Sequence, residues 1–185
     1  MTDSESQRMP IATLDEATAA GAAGLLRPSC ASARWIERLV GGRPYGTLPG
    51  LVAASDAAIA DLGWPDIEEA LSAHPRIGDR PEPGAARGHG EAGAAGGGRE
   101  AAWSRQEQAG ARDVPAEVQA GLRAGNAAYE ERFGHVFLIC ATGMSAASML
   151  AALHERLGHD PAAEREVVRD ELTKIVRLRL GKAFA

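Results

Sequence analysis

The sequence is poor in aromatic residues, and it lacks the patterns of a β protein. Only 4% of its 185 residues are Phe, Trp or Tyr. Runs that alternate Val, Ile or Thr with polar residues are missing, whereas Ala, Leu and Glu, which favour helices, are abundant. A chain of this length buries roughly two-thirds of its unfolded surface, which is enough for one core. The sequence therefore predicts an all-α fold, as a single compact multi-helix domain.

Three further absences narrow the class of protein. The two cysteines, Cys30 and Cys140, lie far apart without ligand spacing, so neither a metal site nor a disulfide framework is predicted. A net charge of −5, with Lys and Arg spread along the chain, provides no basic face for nucleic acid. No apolar run reaches the ~18 residues of a membrane span, and the N-terminal residues lack the apolar stretch of a signal peptide. We expect a cytoplasmic protein without nucleic-acid or membrane partners.

Local patterns predict where the helices lie. Thr13 with Glu16, and Asp66 with Glu69, have the spacing of capping boxes. Ser32 and Ser145 are suited to helix N-caps, and Asp160-Pro161 is predicted to open the last helix. Apolar spacing and Gly or Pro stops complete the boundaries. One face of the helix that begins at Pro115 is predicted to be apolar, and it consists of Val118, Leu122, Tyr129 and Phe133. The predicted helices cover residues 14–26, 33–40, 51–62, 66–73, 99–112, 115–133, 146–157 and 161–181.

The chain outside these helices divides into a tail and loops. Residues 1–10 are predicted to form a disordered tail, followed by one helical domain over residues 11–185. Within the domain, residues 84–98 are rich in Gly and Ala and have little to bury, so we expect a mobile loop there. The short apolar run from Phe137 to Cys140 is too short for periodicity to classify as strand or helix.

The last helix carries an arginine on its apolar face. Val168, Leu172, Ile175 and Arg179 follow one another at the spacing of a single helix face. A guanidinium keeps its charge, so a buried Arg179 is expected to meet an anion. The alternative is that its stem packs on the edge of the core while the charged group reaches water.

Two further groups offer acid–base or binding chemistry. Ser104, Glu107 and Gln108 share one side of a helix and present a hydroxyl, a carboxylate and an amide; the alternative is a solvated helix face. His74 precedes Pro75 at a helix break, where an imidazole could exchange protons, although it could equally cap a helix or lie in the core. The other histidines have no metal-ligand spacing and are predicted at the surface: His89, His135, His154 and His159.

Four motifs follow one another along the chain. They are His74-Pro75-Arg76-Ile77-Gly78, Ser104-x-x-Glu107-Gln108, Asn126-x-x-Tyr129-x-x-Arg132-Phe133-Gly134-x-x-Phe137-x-x-Cys140-Ala141, and the stretch Ile175 to Leu180. In this order they resemble one known family, the decarboxylases of 2-oxo-4-hydroxy-4-carboxy-5-ureidoimidazoline (OHCU). The resemblance covers nearly the whole chain. It departs from the family in two places: the stretch between His74 and Ser104 is longer than usual, and Thr142-Gly143 stand where many members have an arginine.

The resemblance implies a function and a set of site residues. The expected function is that of a carboxy-lyase which decarboxylates OHCU to S-allantoin in urate degradation, as a homodimer without metal or organic cofactor. The implied catalytic residues are His74, Glu107 and Arg179, with Arg177 as a competitor that lies off the apolar stripe. The implied substrate-binding residues are Pro75, Ser104, Gln108, Phe137, Leu138, Ile139, Cys140 and Ala141.

Two other classes of function remain open from the sequence. One is a helical ligand-binding or interaction module that keeps the fold without decarboxylase activity. The other is a lyase or hydrolase that acts on a related ureide with the same His, Glu and Arg.

Overall fold

The structure is a computed structural model that describes residues 8–78, 103, 106, 107 and 115–185. Eight helices and no β-strand occur in this part of the chain, which confirms the all-α prediction. Trp103, Gln106 and Glu107 are also helical, whereas the predicted loop over residues 84–98 lies outside the described residues. The helices are α1 (Ile11–Asp15), α2 (Ala19–Leu26), α3 (Ala33–Gly41), α4 (Leu48–Ala60), α5 (Trp64–Ser72), α6 (Ala116–Phe133), α7 (Ala146–Arg156) and α8 (Pro161–Ala183).

The described residues form two compact units. The first comprises Met1–Ala70 and Arg169–Ala185, and the second comprises Leu71–Val168. In the first unit, Trp35 is fully buried and its indole N–H donates to Ser55 Oγ over 3.1 Å. Arg169 donates to the carbonyls of Ile59 and Leu62 at the end of α4, where the helix dipole favours a positive charge.

The first unit includes a residue that the sequence places in a disordered tail. Met9, which was predicted in a disordered tail, forms a parallel bridge with Phe184. Its N–H donates to the Ala183 carbonyl, and its carbonyl accepts from the Ala185 N–H, each over 2.9 Å. The prediction is wrong for this residue because its backbone partners lie at the other end of the chain, where no local pattern reports them.

In the second unit, α6 and α7 pack closely. Gly125 of α6 faces Leu153 of α7, and a Cβ atom at Gly125 would overlap Leu153 Cδ2. The apolar stripe predicted for α6 is confirmed, since Leu122 and Tyr129 are fully buried and Val118 and Phe133 pack against the same core. Within the described residues, no helix is both long and apolar enough to cross a membrane.

Most of the helix starts that rest on a single side chain are confirmed. Ser32 accepts from the Trp35 N–H at the start of α3, and Ser145 accepts from the Ser148 N–H at the start of α7. Asp160 accepts from the first N–H groups of α8, and those bonds lower the pKa of its carboxyl. These caps are local, so the sequence alone is sufficient to find them.

Both predicted capping boxes are wrong. The first predicted helix is two helices, because Thr18 caps α2 through the Gly21 N–H and Thr13 lies within α1. Asp66 accepts from the Gly63 N–H, so α5 begins at Trp64, while Glu69 accepts from the Ala33 N–H. Glu69 is thus bound by a residue 36 positions away, which the spacing of a capping box does not reveal.

Candidate active site

His74 lies just after the end of α5, where the sequence predicts a helix break. The helix ends at Ser72, and the His74 N–H donates to the Leu71 carbonyl over 2.9 Å. The proline at position 75 disfavours helical geometry at His74, so the chain turns here. His74 is only 9% exposed, and its imidazole is therefore held in an environment largely shielded from water.

Helix α6 holds the turn that follows His74. The Asn126 side-chain amide donates to the Ile77 carbonyl over 2.9 Å, and both residues are buried. Arg76 donates to both carboxylate oxygens of Glu130 over 2.6 and 2.7 Å, and these bonds hold the pKa of Glu130 below its usual value. One buried amide and one bidentate ion pair therefore attach the turn to α6.

Gly78 ends this turn in a conformation that favours glycine. Its φ angle is +81°, and a Cβ atom there would lie 3.3 Å from Leu122 Cδ1. A side chain would be strained by the backbone angle and would also press on α6. The glycine lets the chain leave the turn close to the helix.

The segment from Phe137 to Ala141 is irregular, so it is neither a strand nor a helix. Phe137, Leu138 and Ala141 are buried, whereas Ile139 and Cys140 are half-buried. Cys140 of this segment forms no disulfide among the described residues, and neither does the buried Cys30. An irregular buried segment of this kind directs backbone groups to places that a regular helix would not.

One core cluster connects the His74 turn with this segment. Ile77 of the turn packs with Phe137 and Ala141 of the segment, and with Leu122 and Tyr129 of α6. Tyr129 meets Phe137 edge to face, with ring centroids 5.2 Å apart. The structure thus brings two of the predicted site regions together on one helix.

A buried polar network binds the same segment, and the sequence analysis missed it. Arg156 donates to Glu164 Oε1 through Nε over 2.8 Å and to the Leu138 carbonyl through Nη1 over 2.7 Å. The Tyr129 hydroxyl donates to the same Glu164 oxygen. Burial, followed by this hydrogen bond, raises the pKa of Tyr129, so it stays protonated as a donor.

Two histidines expected at the surface are half-buried beside this network. His159 Nδ1 lies 2.8 Å from Glu164 Oε2, and the His135 ring meets Tyr129 edge to face at 5.4 Å. His154 is exposed, as predicted, and His89 lies outside the described residues. The surface prediction is therefore wrong for His135 and His159.

The signal that reveals the network is helical spacing. Met149, Leu153 and Arg156 follow one another by four and three positions on α7, and all three are buried. Glu164 lies four positions before Val168, so it extends the apolar stripe of α8 toward the helix start. The reasoning applied to Arg179 would have found both residues, because a charge on an apolar stripe predicts a buried partner.

Glu107 is 8% exposed and helical, so the solvated-face alternative is wrong for this residue. Its predicted neighbours Ser104 and Gln108 lie outside the described residues. The roles implied for these three side chains, and for Pro75, remain predictions.

Arg179 belongs to the first unit and is fully buried, with 0% exposure. The alternative in which its charged group reaches water is therefore wrong. Its Nη1 donates to the Pro28 carbonyl at 3.5 Å, a long contact for a hydrogen bond. Arg177, the competing candidate, instead forms a bidentate ion pair with Asp56 at the surface, and that carboxylate raises the pKa of Arg177.

A cavity of about 360 Å³ is formed by the His74 turn and α6. It is lined by Arg76, Arg123, Asn126, Ala127 and Glu130. None of these residues is among the predicted substrate contacts, so this cavity differs from the site that the sequence predicts. No group of three potential metal-binding His, Cys, Asp or Glu side chains occurs in the part of the chain that the structure describes.

Known proteins share both the sequence and the fold. The sequence is 34% identical over 156 residues to the 2-oxo-4-hydroxy-4-carboxy-5-ureidoimidazoline decarboxylase of Amia calva, covering 83% of this chain and 78% of the relative. It is 31% identical over 156 residues to the uric acid degradation bifunctional protein TTL of Arabidopsis thaliana, covering 84% of this chain and only 45% of that longer protein.

A solved structure of OHCU decarboxylase, obtained in the presence of (S)-allantoin, superposes with a TM-score of 0.69 at 26% identity. The match covers 86% of this chain and 96% of that one. The sequence model of the OHCU decarboxylase family matches residues 15–181. With that match spanning most of the described helices, this chain belongs to the OHCU decarboxylase family.

Proposed function

We propose that this protein decarboxylates OHCU to S-allantoin in urate degradation, without a metal or organic cofactor. The observation that carries the proposal is the arrangement on α6, which holds both the His74 turn and the 137–141 segment. Family membership and the similarity to an OHCU decarboxylase solved in the presence of (S)-allantoin support the choice of substrate.

The substrate carries its own electron acceptor. One ring carbon of OHCU bears the carboxylate and a hydroxyl, and its neighbour bears the ureido group and a C=N bond. When the bond to carbon dioxide breaks, its electron pair forms a C=C bond between these ring carbons, and the C=N electrons move to nitrogen, which takes a proton. The resulting enol then loses its hydroxyl proton, while the ureido-bearing carbon gains one. No borrowed electron sink is required.

The protein must then orient the carboxylate and stabilise the developing charge. Loss of carbon dioxide is fastest when the breaking bond stands perpendicular to the ring, so that it overlaps the π system. We assign Arg179 and backbone N–H groups of residues 137–141 to the ring oxygens or the developing charge. Glu107 and Gln108 would bind the ureido and ring N–H groups, with Ser104 and Pro75 completing the wall.

His74 is the proton-transfer group of this proposal. An imidazole titrates near neutral pH, so it can take the hydroxyl proton or deliver a proton to the ureido-bearing carbon. Delivery to one face of the ring gives the S product. His74 follows a helix end and is 9% exposed, so a proton that it transfers would be shielded from bulk water.

Substitution of His74 tests the proposal. His74→Asn should lower kcat by at least about a hundredfold, the usual scale of a lost acid–base catalyst, while the helical circular dichroism spectrum stays unchanged. Turnover is followed by mixing the protein with freshly generated OHCU and recording the circular dichroism of the optically active allantoin. The exposed His154 provides a matched control, and His154→Asn should behave like the unsubstituted protein.

If the purified protein does not accelerate the loss of OHCU beyond its spontaneous rate, the assigned reaction is refuted. A panel of related ureides, run with the same protein, separates the proposed decarboxylase from a lyase or hydrolase of another ureide. Full activity of His74→Asn would remove His74 from the mechanism while leaving the reaction intact.

We further propose that the protein acts as a homodimer in the cytoplasm. The dimer follows from the family resemblance. Cys30 and Cys140 form no disulfide among the described residues, which is consistent with a reducing compartment. Cell fractionation tests the location, and a membrane-bound or exported pool would contradict it.

A further inference from the structure

We propose that Arg156 is a positioning residue that aims the Ile139 N–H at the substrate by holding the Leu138 carbonyl. This inference rests on the proposed function, because it gives the 137–141 segment a role in substrate binding. Arg156 itself would touch neither the substrate nor the reacting atoms.

One peptide unit links the Leu138 carbonyl to the Ile139 N–H. Leu138 C=O and Ile139 N–H belong to the same planar group, and in a trans peptide they point in opposite directions. Arg156 Nη1 donates to that carbonyl over 2.7 Å. Fixing the carbonyl on one side therefore fixes the N–H on the other. No hydrogen bond from the Ile139 N–H to another residue within the described stretches is present.

The Arg156 side chain is itself held in place. Arg156 is 5% exposed, and Nε and Nη2 both donate to Glu164 Oε1, over 2.8 and 2.5 Å. Its guanidinium carbon also lies 4.6 Å from the centre of the Phe137 ring, within the range of a cation–π contact. A planar guanidinium held along one edge by Glu164 and on one face by the Phe137 ring has little freedom, so the Nη1 group that reaches Leu138 is held in direction.

The Glu164 carboxylate that binds Arg156 is also held by other residues. Glu164 is fully buried, and its Oε1 also accepts from the Tyr129 hydroxyl, while Oε2 faces His159 Nδ1 at 2.8 Å. Burial and the bond to Glu164 raise the pKa of Tyr129, so its hydroxyl stays a donor. Each atom of the carboxylate thus has a partner, and the carboxylate fixes Arg156.

A purely stabilising role explains this network less well. Buried ion pairs often contribute little to stability, because removing two charges from water costs about as much as their attraction returns. An apolar pair would fill the same space. The arginine adds one thing that an apolar side chain would not, namely a directed donor for a carbonyl in the segment.

A double substitution separates positioning from stability. Arg156→Met alone leaves Glu164 buried without its cation and should lower the melting temperature strongly. Arg156→Met/Glu164→Gln removes the uncompensated charge but keeps an acceptor for Tyr129, so most of the melting temperature should return. If Arg156 positions the segment, kcat for OHCU in this double variant stays about 10- to 100-fold low, with KM changed much less. Recovery of kcat together with stability would overturn the proposal.

Two further variants sharpen the result. Arg156→Lys can reach the Leu138 carbonyl or Glu164, but not both in the fixed geometry of a guanidinium, so it should recover only part of kcat. Arg132→Met is the matched control, because Arg132 also donates to a backbone carbonyl, that of His159 over 2.8 Å, outside the 137–141 segment. This control should keep the kcat of the unsubstituted protein.

A readout without turnover distinguishes this inference from the proposed function. In nuclear magnetic resonance spectra of the ligand-free protein, the Ile139 amide signal should shift and broaden in Arg156→Met/Glu164→Gln and remain unchanged in Arg132→Met. An unchanged Ile139 signal in the double variant would overturn the positioning role. Failure of the unsubstituted protein to turn over OHCU would refute the reaction, and the amide signal would still decide whether Arg156 holds the segment.

Discussion

At the scale of single residues, burial distinguishes charges that look alike in the sequence. Arg177 and Arg179 lie two positions apart on α8, yet one is at the surface with Asp56 and the other is fully buried. A buried guanidinium keeps its charge, so the charge of Arg179 has to be matched inside the protein, whereas that of Arg177 is matched at the surface. We propose that the substrate is one of the partners of Arg179.

Substitution should therefore impair catalysis at Arg179 and leave it nearly unchanged at Arg177. Arg179→Lys keeps the charge but loses the planar fork, and we expect kcat/KM for OHCU to fall about a hundredfold or more, the scale of a lost charged transition-state contact. Arg177→Met removes an exposed ion pair and should change kcat/KM less than about twofold. Steady-state kinetics on the two purified variants makes the comparison, and equal effects would contradict the choice of Arg179.

At the scale of elements, α6 acts as the support of the candidate site. Its Asn126 and Glu130 hold the turn after His74, and its Tyr129 joins the network that binds the 137–141 segment. These three side chains of α6 therefore attach it to the candidate site at three separate points. Each can be tested by its own substitution.

Asn126→Asp replaces the donor to the Ile77 carbonyl with an oxygen of nearly the same shape. A buried acceptor then faces a carboxyl group, so we expect a loss of roughly 3 kcal/mol in the free energy of unfolding. Because the turn carries His74, kcat should fall as well in the folded protein. Urea denaturation and kinetics below the melting temperature measure the two effects; unchanged values in both would show that the bond does not hold the turn.

The ion pair between Arg76 and Glu130 should stabilise the protein in a pH-dependent way. The folded-state pKa of Glu130 is lowered by Arg76, so the contribution is present above the ordinary value of 4.5 and is lost as pH falls through the lower folded value. Because Arg76 is half exposed, we expect no more than about 1 kcal/mol at neutral pH.

The comparison of Glu130→Gln with the unsubstituted protein, by urea denaturation from pH 7 down to pH 3, measures that contribution. The difference in unfolding free energy should shrink toward zero at the acid end. A difference that grows in acid would contradict the assignment of the pair.

At the scale of the whole molecule, family membership rests on matches that extend over most of the chain. The family model covers residues 15–181, and a solved OHCU decarboxylase shares the fold over 86% of the chain. The two compact units each contain part of α5 and α8, because both helices cross a boundary between the units.

The assembly makes one prediction at this scale. If the protein is a homodimer, light scattering after size-exclusion chromatography should give twice the chain mass of 19.3 kDa. The mass should hold over a dilution series, because a dimer with a standard interface persists at low concentration. A mass equal to that of one chain at every concentration would refute the proposed dimer.

The sequence by itself determined the features that depend on neighbours within about four residues. The N-caps Ser32, Ser145 and Asp160, the break before Pro75 and the apolar stripe of α6 are of this kind, because caps and helix faces repeat at short fixed spacings. Local chemistry was sufficient for these features. The order of four motifs predicted the family by resemblance, which the family match confirms, whereas the site residues that the resemblance implies remain predictions.

Only the tertiary structure decided which distant groups meet. Glu69 binds the Ala33 N–H across 36 positions, and Arg156 binds the Leu138 carbonyl across 18. Met9 pairs with Phe184 from the other end of the chain. A side chain's partner depends on how helices pack, and hydrogen-bond donors and acceptors occur along the whole chain. The spacing of residues within one segment therefore does not identify which distant group a buried side chain will contact in the folded protein.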